Sequence, residues 1–237
     1  MIIDFENIPI YGIFLASSLI INCIMIFVLG NLQKLDKNIL LCSLIYEMIG
    51  IIVGAKILNL IQIEENKSFY YAGFSAYGGV IGGILTLYAF ARIYNVSIGK
   101  LLNIYIPVLP ILYSVSKLGC FFSGCCYGIV YSGIGNVTYN YSSDAPIGVS
   151  LFPVQLIESI ANFIIFLYIM SSYKKNLENT KTIINVFLLC GICKFCLEFF
   201  RNSWSGTLSS TQVISVLFIV IGLIMLIIDI EKNNKNK

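Results

Sequence analysis

The sequence predicts an all-α integral membrane protein, and three features of the chain support this. Hydrophobic residues make up 58% of the 237 residues and charged residues only 11%, with a mean hydropathy of +0.87. Soluble domains carry roughly 25% charged residues, so this chain has too little charge to cover a surface that faces water. The apolar residues also form runs of about 20, the length of a helix that crosses a bilayer. We therefore expect the chain to lie in a lipid bilayer.

The apolar runs predict about seven transmembrane helices. A span in lipid must satisfy its own backbone hydrogen bonds, so each run is expected to be helical. Asp4 and Glu6 precede the first run, where a cleavable signal peptide would carry Lys or Arg, so we expect this run to be a retained span. The predicted spans cover residues 11–29, 39–61, 71–93, 101–119, 153–171, 183–200 and 211–230.

The loops between the runs differ in their positive charge. One set contains most of the Lys and Arg residues, and the positive-inside rule places that set in the cytoplasm. The N-terminus is then extracytoplasmic and the C-terminus cytoplasmic, which agrees with an odd number of spans. The positive side has Lys34, Lys37, Arg92, Lys100, Lys174, Lys175, Lys181, Lys232, Lys235 and Lys237, and the other side has Lys67, Lys117 and Arg201.

Residues 121–152 are the only sizeable stretch outside the predicted spans. They are rich in Gly, Ser, Tyr and Asn, which indicates a small extracytoplasmic cap on a single polytopic domain of residues 1–237. We find no internal repeat, so the sequence does not favour a transporter built of inverted halves. The net charge of +3 is not gathered in a basic run, and we expect no nucleic-acid partner.

The cysteines differ in their surroundings. Five of the eight lie in apolar runs, where Cys behaves as a small hydrophobic residue, but Cys120, Cys125 and Cys126 lie in a Gly-rich segment at 117–128. One interpretation is a turn held by a disulfide from Cys120 to Cys125 or Cys126 on an oxidising face. The chain has no His, and the neighbouring residues offer no fourth zinc ligand, so we predict no metal site.

The same segment is typical of an anion site. Gly119, Gly124 and Gly128 permit turns with positive φ and expose backbone N–H donors. Lys117 adds a positive charge at the start of the segment. We therefore predict that the segment contacts the phosphate of a lipid headgroup.

Ionisable residues within a predicted span form a second candidate. Lys194 and Glu198 are four residues apart and share one helix face, and Arg201 follows about one turn later. They could form a local ion pair that reduces the cost of burial, or a polar face that lines a cavity. The position of Arg201 favours the cavity.

Two further groups have both structural and functional interpretations. Gln155 and Glu158, three residues apart, either begin a helix or face the same headgroup site. Gly78 and Gly79 either let two helices approach closely or let a ligand reach the backbone, with the hydroxyl of Tyr77 beside them.

Seven short motifs resemble those of the prolipoprotein diacylglyceryl transferase family, in the same order and over nearly the whole chain. The longest is KLGCFFSGCCYG at 117–128, which resembles RIGNFINGELWG. SAYGG at 75–79 resembles SFHGG, FPVQLIE at 152–158 resembles HPSQLYE, and K-x-x-x-EFFR at 194–201 resembles R-x-x-x-EFFR. The remaining motifs are Tyr11-Gly12, Gly54-Ala55-Lys56, which resembles Gly-Ala-Arg, and Gln212 with Ser215.

The resemblance implies an enzyme of the bacterial plasma membrane that needs no cofactor. It implies transfer of a diacylglyceryl group from phosphatidylglycerol to the lipobox cysteine of a preprolipoprotein, whose signal peptide is the second partner. The residues expected to be catalytic are Tyr77, Lys117, Lys194 and Glu198. The residues expected to bind the phospholipid are Tyr11, Gly78, Gly79, Gly119, Cys120, Cys125, Gly128, Gln155, Glu158 and Arg201.

The chain differs from the family pattern at several of these positions, and two alternatives stay open. One is a lipid transferase with another donor or acceptor, in which Cys125 accepts the lipid transiently. The other is a membrane protein that binds anionic phospholipid without catalysis. Tyr77 stands where the family has His, Lys117 and Lys194 where it has Arg, and Cys120 and Cys125 where it has Asn and Glu.

Overall fold

Eight α-helices account for most of the described chain. A computed structural model describes residues 2–3, 10–62, 75–173, 180–203 and 206–235. Asp4, Glu6 and the predicted start of the third span at residues 71–74 lie outside the described residues. The helices are α1 (Ile10–Leu32), α2 (Lys37–Gln62), α3 (Ala76–Tyr94), α4 (Ile98–Tyr105), α5 (Leu109–Ser123), α6 (Val154–Tyr173), α7 (Thr180–Glu198) and α8 (Ser210–Lys235).

Six helical segments in this part of the chain are long and apolar enough to cross a membrane. They are α1, α2, the segment from Ile98 to Ser123, α6, α7 and α8. The helix α3 lies at the predicted third span, but it is not one of these six segments. Large apolar side chains such as Ile20, Leu85 and Ile164 are exposed, as expected for helices that face lipid. The prediction of an all-α integral membrane fold is confirmed.

The predicted fourth span is two helices rather than one. A 3₁₀ turn at Ile106–Val108 separates α4 from α5. Pro107 lies in this turn and Pro110 in the first turn of α5, and proline has no backbone N–H to continue a helix from the preceding residues. The helix α5 then continues to Ser123, into the predicted cap, and Gly124 ends it with a φ of 76°.

The first of two structural units comprises residues 1–22 and 107–237. In it α5 packs on α6, α6 on α7 and α7 on α8. Two serines join α5 to α6, since Ser114 Oγ donates to the Ser159 carbonyl at 2.9 Å and Ser159 Oγ donates to the Ser114 carbonyl at 2.8 Å. Small hydroxyl residues of this kind allow membrane helices to approach closely and hydrogen-bond across the contact.

The loop between α5 and α6 has an apolar core of its own. Val137, Tyr139 and Leu151 are buried there together with Phe121 of α5. The Tyr139 hydroxyl donates to the Phe121 carbonyl at 2.8 Å, which fixes the loop to the end of α5. A short strand in this loop, β2 (Thr138–Tyr139), pairs in parallel with β1 (Ile2–Ile3). The extracytoplasmic location of the loop and the single-domain organisation stay predictions.

The second unit comprises residues 23–106, and glycines join two of its helices. A Cβ atom at Gly54 of α2 would meet the carbonyl oxygen of Gly78 and would lie 2.8 Å from the Cα of Gly82 in α3. A Cβ atom at Gly78 would likewise meet the Gly54 carbonyl. Glycine is required at this contact because the two backbones touch. Ser75 precedes α3 as its N-cap and donates its backbone N–H to the Ala55 carbonyl at 3.1 Å.

Candidate functional site

A buried carboxylate on α6 joins three helices of the first unit. Glu158 is 1% exposed. Its Oε1 atom lies 2.6 Å from Nζ of Lys194 on α7, and its Oε2 atom lies 3.0 Å from Nζ of Lys117 on α5. Sequence analysis predicted all three residues in one site, and the structure brings them into direct contact.

The contacts continue along α7. Nζ of Lys194 lies 3.0 Å from Oε2 of Glu198, and Nη1 of Arg201 lies 3.3 Å from the same oxygen. The structure therefore supports the ion-pair interpretation of these two residues, while the cavity that the position of Arg201 favoured stays a prediction. We call Lys117, Glu158, Lys194, Glu198 and Arg201 the ionic chain. Among these five side chains, three cations face two carboxylates, an excess of one positive charge.

Ion pairs and hydrogen bonds within and around the ionic chain reduce the free-energy cost of burying its charges. An isolated charge in a bilayer is costly, and intramembrane charges pair with one another at functional sites. The hydroxyl of Tyr113 donates to Oε1 of Glu158 at 3.4 Å, and Nζ of Lys117 lies 5.1 Å from the centre of the same ring. The hydroxyl of Ser209 donates to Oε1 of Glu198 at 3.4 Å.

Tyr113 and Ser209 are not among the site residues predicted from the sequence. Tyr113 precedes Lys117 by four residues on α5, so helical spacing was a signal that could have found it. Ser209 lies just before α8 and eleven residues beyond Glu198 in sequence, and its contact depends on how α8 packs against α7.

Two hydrogen-bond donors close to the ionic chain have no partner among the described residues. They are Nε of Arg201 and Nε2 of Gln212, and both atoms are buried. Gln212 contacts the ionic chain indirectly, through Ser209. The backbone N–H of Ser209 donates to Oε1 of Gln212 at 3.0 Å, and its hydroxyl donates to Glu198. Buried polar atoms in proteins nearly always have partners, so two unpaired donors beside an excess positive charge favour an anionic ligand.

The backbone around Gly128 positions Arg201. Gly128 and Arg201 form an antiparallel bridge, and the N–H of Ile129 donates to the Phe200 carbonyl at 3.0 Å. A Cβ atom at Gly128 would meet the Phe152 carbonyl and would lie 3.0 Å from the Phe200 carbonyl oxygen. This close approach gives Gly128 a structural role, while its predicted contact with the phospholipid stays a prediction.

The guanidinium of Arg201 stays charged in this setting. Burial alone would lower its pKa, but the Cys126 sulfur and the carboxylates of Glu198 and Glu158 hold the pKa above its ordinary value. The contacts with neighbouring anions outweigh the loss of hydration.

The three cysteines of the Gly-rich segment converge. The sulfur atoms of Cys120, Cys125 and Cys126 lie within 4.8 Å of one another, and each is a free thiol. Hydrogen bonds from Cys120 and Cys125 lower the pKa of Cys126, although burial opposes this, and the charges of Lys117 and Arg201 lower it further. Cys126 was considered only as a disulfide partner of Cys120, a bond that this structure does not contain, and was not among the predicted site residues.

The other predicted residues of the first unit lie around this segment. Nε2 of Gln155 donates to the Cys125 carbonyl at 2.9 Å, so Gln155 fixes the loop. A Cβ atom at Gly119 would lie 2.8 Å from Cβ of Phe14 and 3.5 Å from Cδ2 of Tyr11, so this glycine lets α1 approach α5.

Three predicted residues belong to the second unit. Tyr77 lies in the first turn of α3, and Gly78 and Gly79 follow it. Both glycines are buried, and Gly78 is one of the four glycines at which α2 and α3 touch. The packing interpretation is therefore supported for Gly78, and the predicted roles of these residues in catalysis and lipid binding stay predictions.

Comparison with known proteins identifies the family. The family described as "Prolipoprotein diacylglyceryl transferase" matches residues 1–228. The relative named phosphatidylglycerol–prolipoprotein diacylglyceryl transferase 2 of Clostridium perfringens is 28% identical over 95% of this chain and 92% of its own length. A transferase of the same name from Clostridium tetani is 26% identical over 92% of each chain, and one from Finegoldia magna is 25% identical over 91% and 88%.

The match covers the fold and the site together. It includes five of the six apolar segments in full, α8 up to residue 228, and every residue of the ionic chain. The chain is a multi-pass protein of the bacterial plasma membrane, and it belongs to the prolipoprotein diacylglyceryl transferase family.

Proposed function

We propose that this protein transfers the diacylglyceryl group of phosphatidylglycerol to the lipobox cysteine of preprolipoproteins. The names of its relatives state both substrates. The observation that carries the proposal is the ionic chain, with its excess positive charge and the unpaired donors of Arg201 and Gln212. A phosphate diester at the membrane surface has the charge and the acceptor oxygens that such a site requires.

In the proposed reaction, negative charge develops on the phosphate group of the lipid. The thiolate sulfur of the acceptor attacks the terminal glycerol carbon of the diacylglyceryl group, a sulfur–carbon bond forms, and the carbon–oxygen bond to phosphate breaks. Glycerol phosphate leaves with the electron pair of that bond. Negative charge therefore grows on the phosphate, and nearby fixed cations lower the barrier.

In this proposal the cations of the ionic chain have different roles. Arg201 has an unpaired Nε–H and is the donor best prepared to bind a phosphate oxygen. Lys117 and Lys194 stabilise the developing charge, while Glu158 holds both ammonium groups and Glu198 orients Lys194 and Arg201. We assign Tyr77 to the hydrogen-bonding position that the family's His occupies. With an ordinary tyrosine pKa of roughly 10, its hydroxyl is a donor rather than a base at neutral pH.

Complementation tests the proposal. The gene is expressed in a bacterial strain depleted of its own transferase, and lipid-modified preprolipoprotein is detected by gel shift. We expect the wild type to restore the shifted band, and Lys194→Met and Lys117→Met each to abolish it. Lys232→Met changes an exposed lysine on α8 in the same way and serves as the matched control.

The alternatives give different results. If the wild type restores no band and the purified protein still binds phosphatidylglycerol vesicles, a non-catalytic lipid-binding protein is favoured. If mass spectrometry finds a lipid adduct on Cys125, the alternative with a covalent intermediate is favoured. In that alternative Cys125 carries the lipid transiently, in a transferase that uses another donor or acceptor.

A further inference from the structure

Three thiols meet at a point where a helix ends and a loop turns back on it. Cys120 lies on α5 and is buried, while Cys125 and Cys126 follow the end of the helix and are partly exposed. All three sulfur atoms lie within 4.8 Å of one another. The mechanism proposed above uses none of these thiols.

The backbone holds this arrangement in place. Gly124 and Cys126 both have left-handed φ angles, 76° and 56°. A left-handed conformation is disfavoured for a residue with a side chain, and it persists where the surrounding structure imposes it. Here the loop is tied at several points, including Nε2 of Gln155 on the Cys125 carbonyl at 2.9 Å and the Ala145 N–H on the Gly124 carbonyl at 3.1 Å.

We propose that Cys120, Cys125 and Cys126 form a binding site for a soft metal ion, Zn²⁺ or Cu⁺. Thiolates are the ligands that select these two ions. Zinc–sulfur bonds of about 2.3 Å place ligand sulfurs about 3.8 to 4.0 Å apart, so the described spacing needs a shift of less than about 1 Å. Three sulfurs complete a trigonal Cu⁺ site, and around Zn²⁺ they leave a fourth position for water.

The charges near the thiols suit a metal complex of this kind. Three thiolates with Zn²⁺ or Cu⁺ carry a net negative charge. Lys117 lies one helical turn before Cys120, and its charge and that of Arg201 act on Cys126. The hydroxyl of Ser123 donates to Sγ of Cys125 at 3.4 Å, as outer hydrogen bonds to metal ligands commonly do.

A disulfide is the competing use of these residues. It would join two of the thiols and leave the convergence of the third unexplained. A three-thiolate site accounts for all three.

Metal retention by the purified full-length protein tests the proposal. The protein is kept in detergent with a phosphine reductant, incubated with Zn²⁺ or, separately and without oxygen, with Cu⁺, and freed of unbound metal by gel filtration. We expect about one metal ion per chain by elemental mass spectrometry. Cys120→Ser, Cys125→Ser and Cys126→Ser should each lose most of it. Cys190→Ser, on α7, is the matched control and should retain it.

A second measurement uses only the wild type, so the proposal can be tested even if the cysteine variants fail to fold. Alkylation of the wild type with and without metal, read by peptide mass spectrometry, should show protection of all three thiols and none of Cys190. The proposal is overturned if the wild type retains no more metal than a variant with all three cysteines changed. It is also overturned if bound metal protects none of the three, or if two of them remain joined as a disulfide under reductant. These results do not depend on transferase activity, so this inference and the proposed function can fail separately.

Discussion

Glu158 and Lys194 lie on neighbouring helices, and the 2.6 Å between Oε1 and Nζ is the shortest contact of the ionic chain. The other oxygen of the same carboxylate lies 3.0 Å from Lys117. The Glu158 carboxylate on α6 therefore pairs with a cation from α5 and another from α7. We expect this shared ion pair to stabilise the packing of the three helices.

Glu158→Gln should destabilise the protein strongly. The amide keeps the shape of the side chain but leaves two buried ammonium groups without their shared counter-ion, and breaking a buried ion pair costs about 3–5 kcal/mol. Thermal unfolding of the purified protein in detergent should show a marked drop in Tm.

A double variant separates charge from packing. Glu158→Gln combined with Lys194→Met removes one of the uncompensated cations, so its Tm should exceed that of Glu158→Gln alone. If the two changes simply add, the charge pairing described here does not determine stability.

Arg201→Lys should weaken the use of phosphatidylglycerol without unfolding the protein. Lysine keeps the positive charge and its contact with Glu198, but it lacks the Nε donor and the planar fork that suit a phosphate. A hydrogen bond to a charged group contributes about 1.5–3 kcal/mol, so we expect kcat/KM to fall roughly 10- to 100-fold.

Transfer assays in vesicles of varied phosphatidylglycerol content give this value. Arg92→Lys, an exposed position on α3, makes the same change elsewhere and should have no effect. An equal loss in both variants would point to a general effect of arginine rather than to phosphate binding.

Gly78→Ala should destabilise the contact between α2 and α3. The new methyl group would meet the Gly54 carbonyl and lie 2.6 Å from Cβ of Leu58, and overpacking typically costs about 1–3 kcal/mol. Gly12→Ala is the control, since no described atom outside its own helical turn lies within 4 Å of its added Cβ. It should leave Tm unchanged or raise it slightly, because Ala favours a helix over Gly by up to about 1 kcal/mol. Equal Tm values for the two variants would contradict the close backbone approach.

Tyr139→Phe should loosen the loop between α5 and α6. The change leaves the buried Phe121 carbonyl without its donor, which costs about 1–3 kcal/mol. We expect faster proteolytic cleavage within residues 124–153. Tyr141→Phe removes the hydroxyl of a nearby exposed tyrosine and should alter the cleavage rate little. Indistinguishable rates for both variants would show that the hydroxyl of Tyr139 does not anchor the loop.

Hydrophobic runs and helical spacing predicted much of this protein. The first predicted span, residues 11–29, lies within the observed Ile10–Leu32, because a long apolar run in lipid can only be helical. The spacing of Lys194 and Glu198 placed them on one helix face, where an ion pair was one of two interpretations, and the structure shows that pair. The break between α4 and α5 was missed, although Pro107 marks it in the sequence.

The contacts between helices that form the site could not be predicted from local sequence patterns. Taken alone, Glu158 was well explained as part of a helix start, and only the packing of α6 between α5 and α7 shows that it joins two lysines. The convergence of the three thiols depends on the left-handed conformation of Cys126, which nothing in a Cys-Cys pair predicts.

The order in which the helices enter the membrane gives the ionic chain a role in biogenesis. A lysine within a lone span raises the cost of inserting that span, by about 2.5–3.5 kcal/mol at the centre and by less towards the ends. Lys117 is synthesised before Glu158, and Glu158 before Lys194, so Lys117 enters the bilayer ahead of its partner and both enter ahead of Lys194. The insertion machinery is therefore expected to retain α5 and α6 until α7 arrives, and a nascent chain that stops after α6 should be a substrate for membrane proteases.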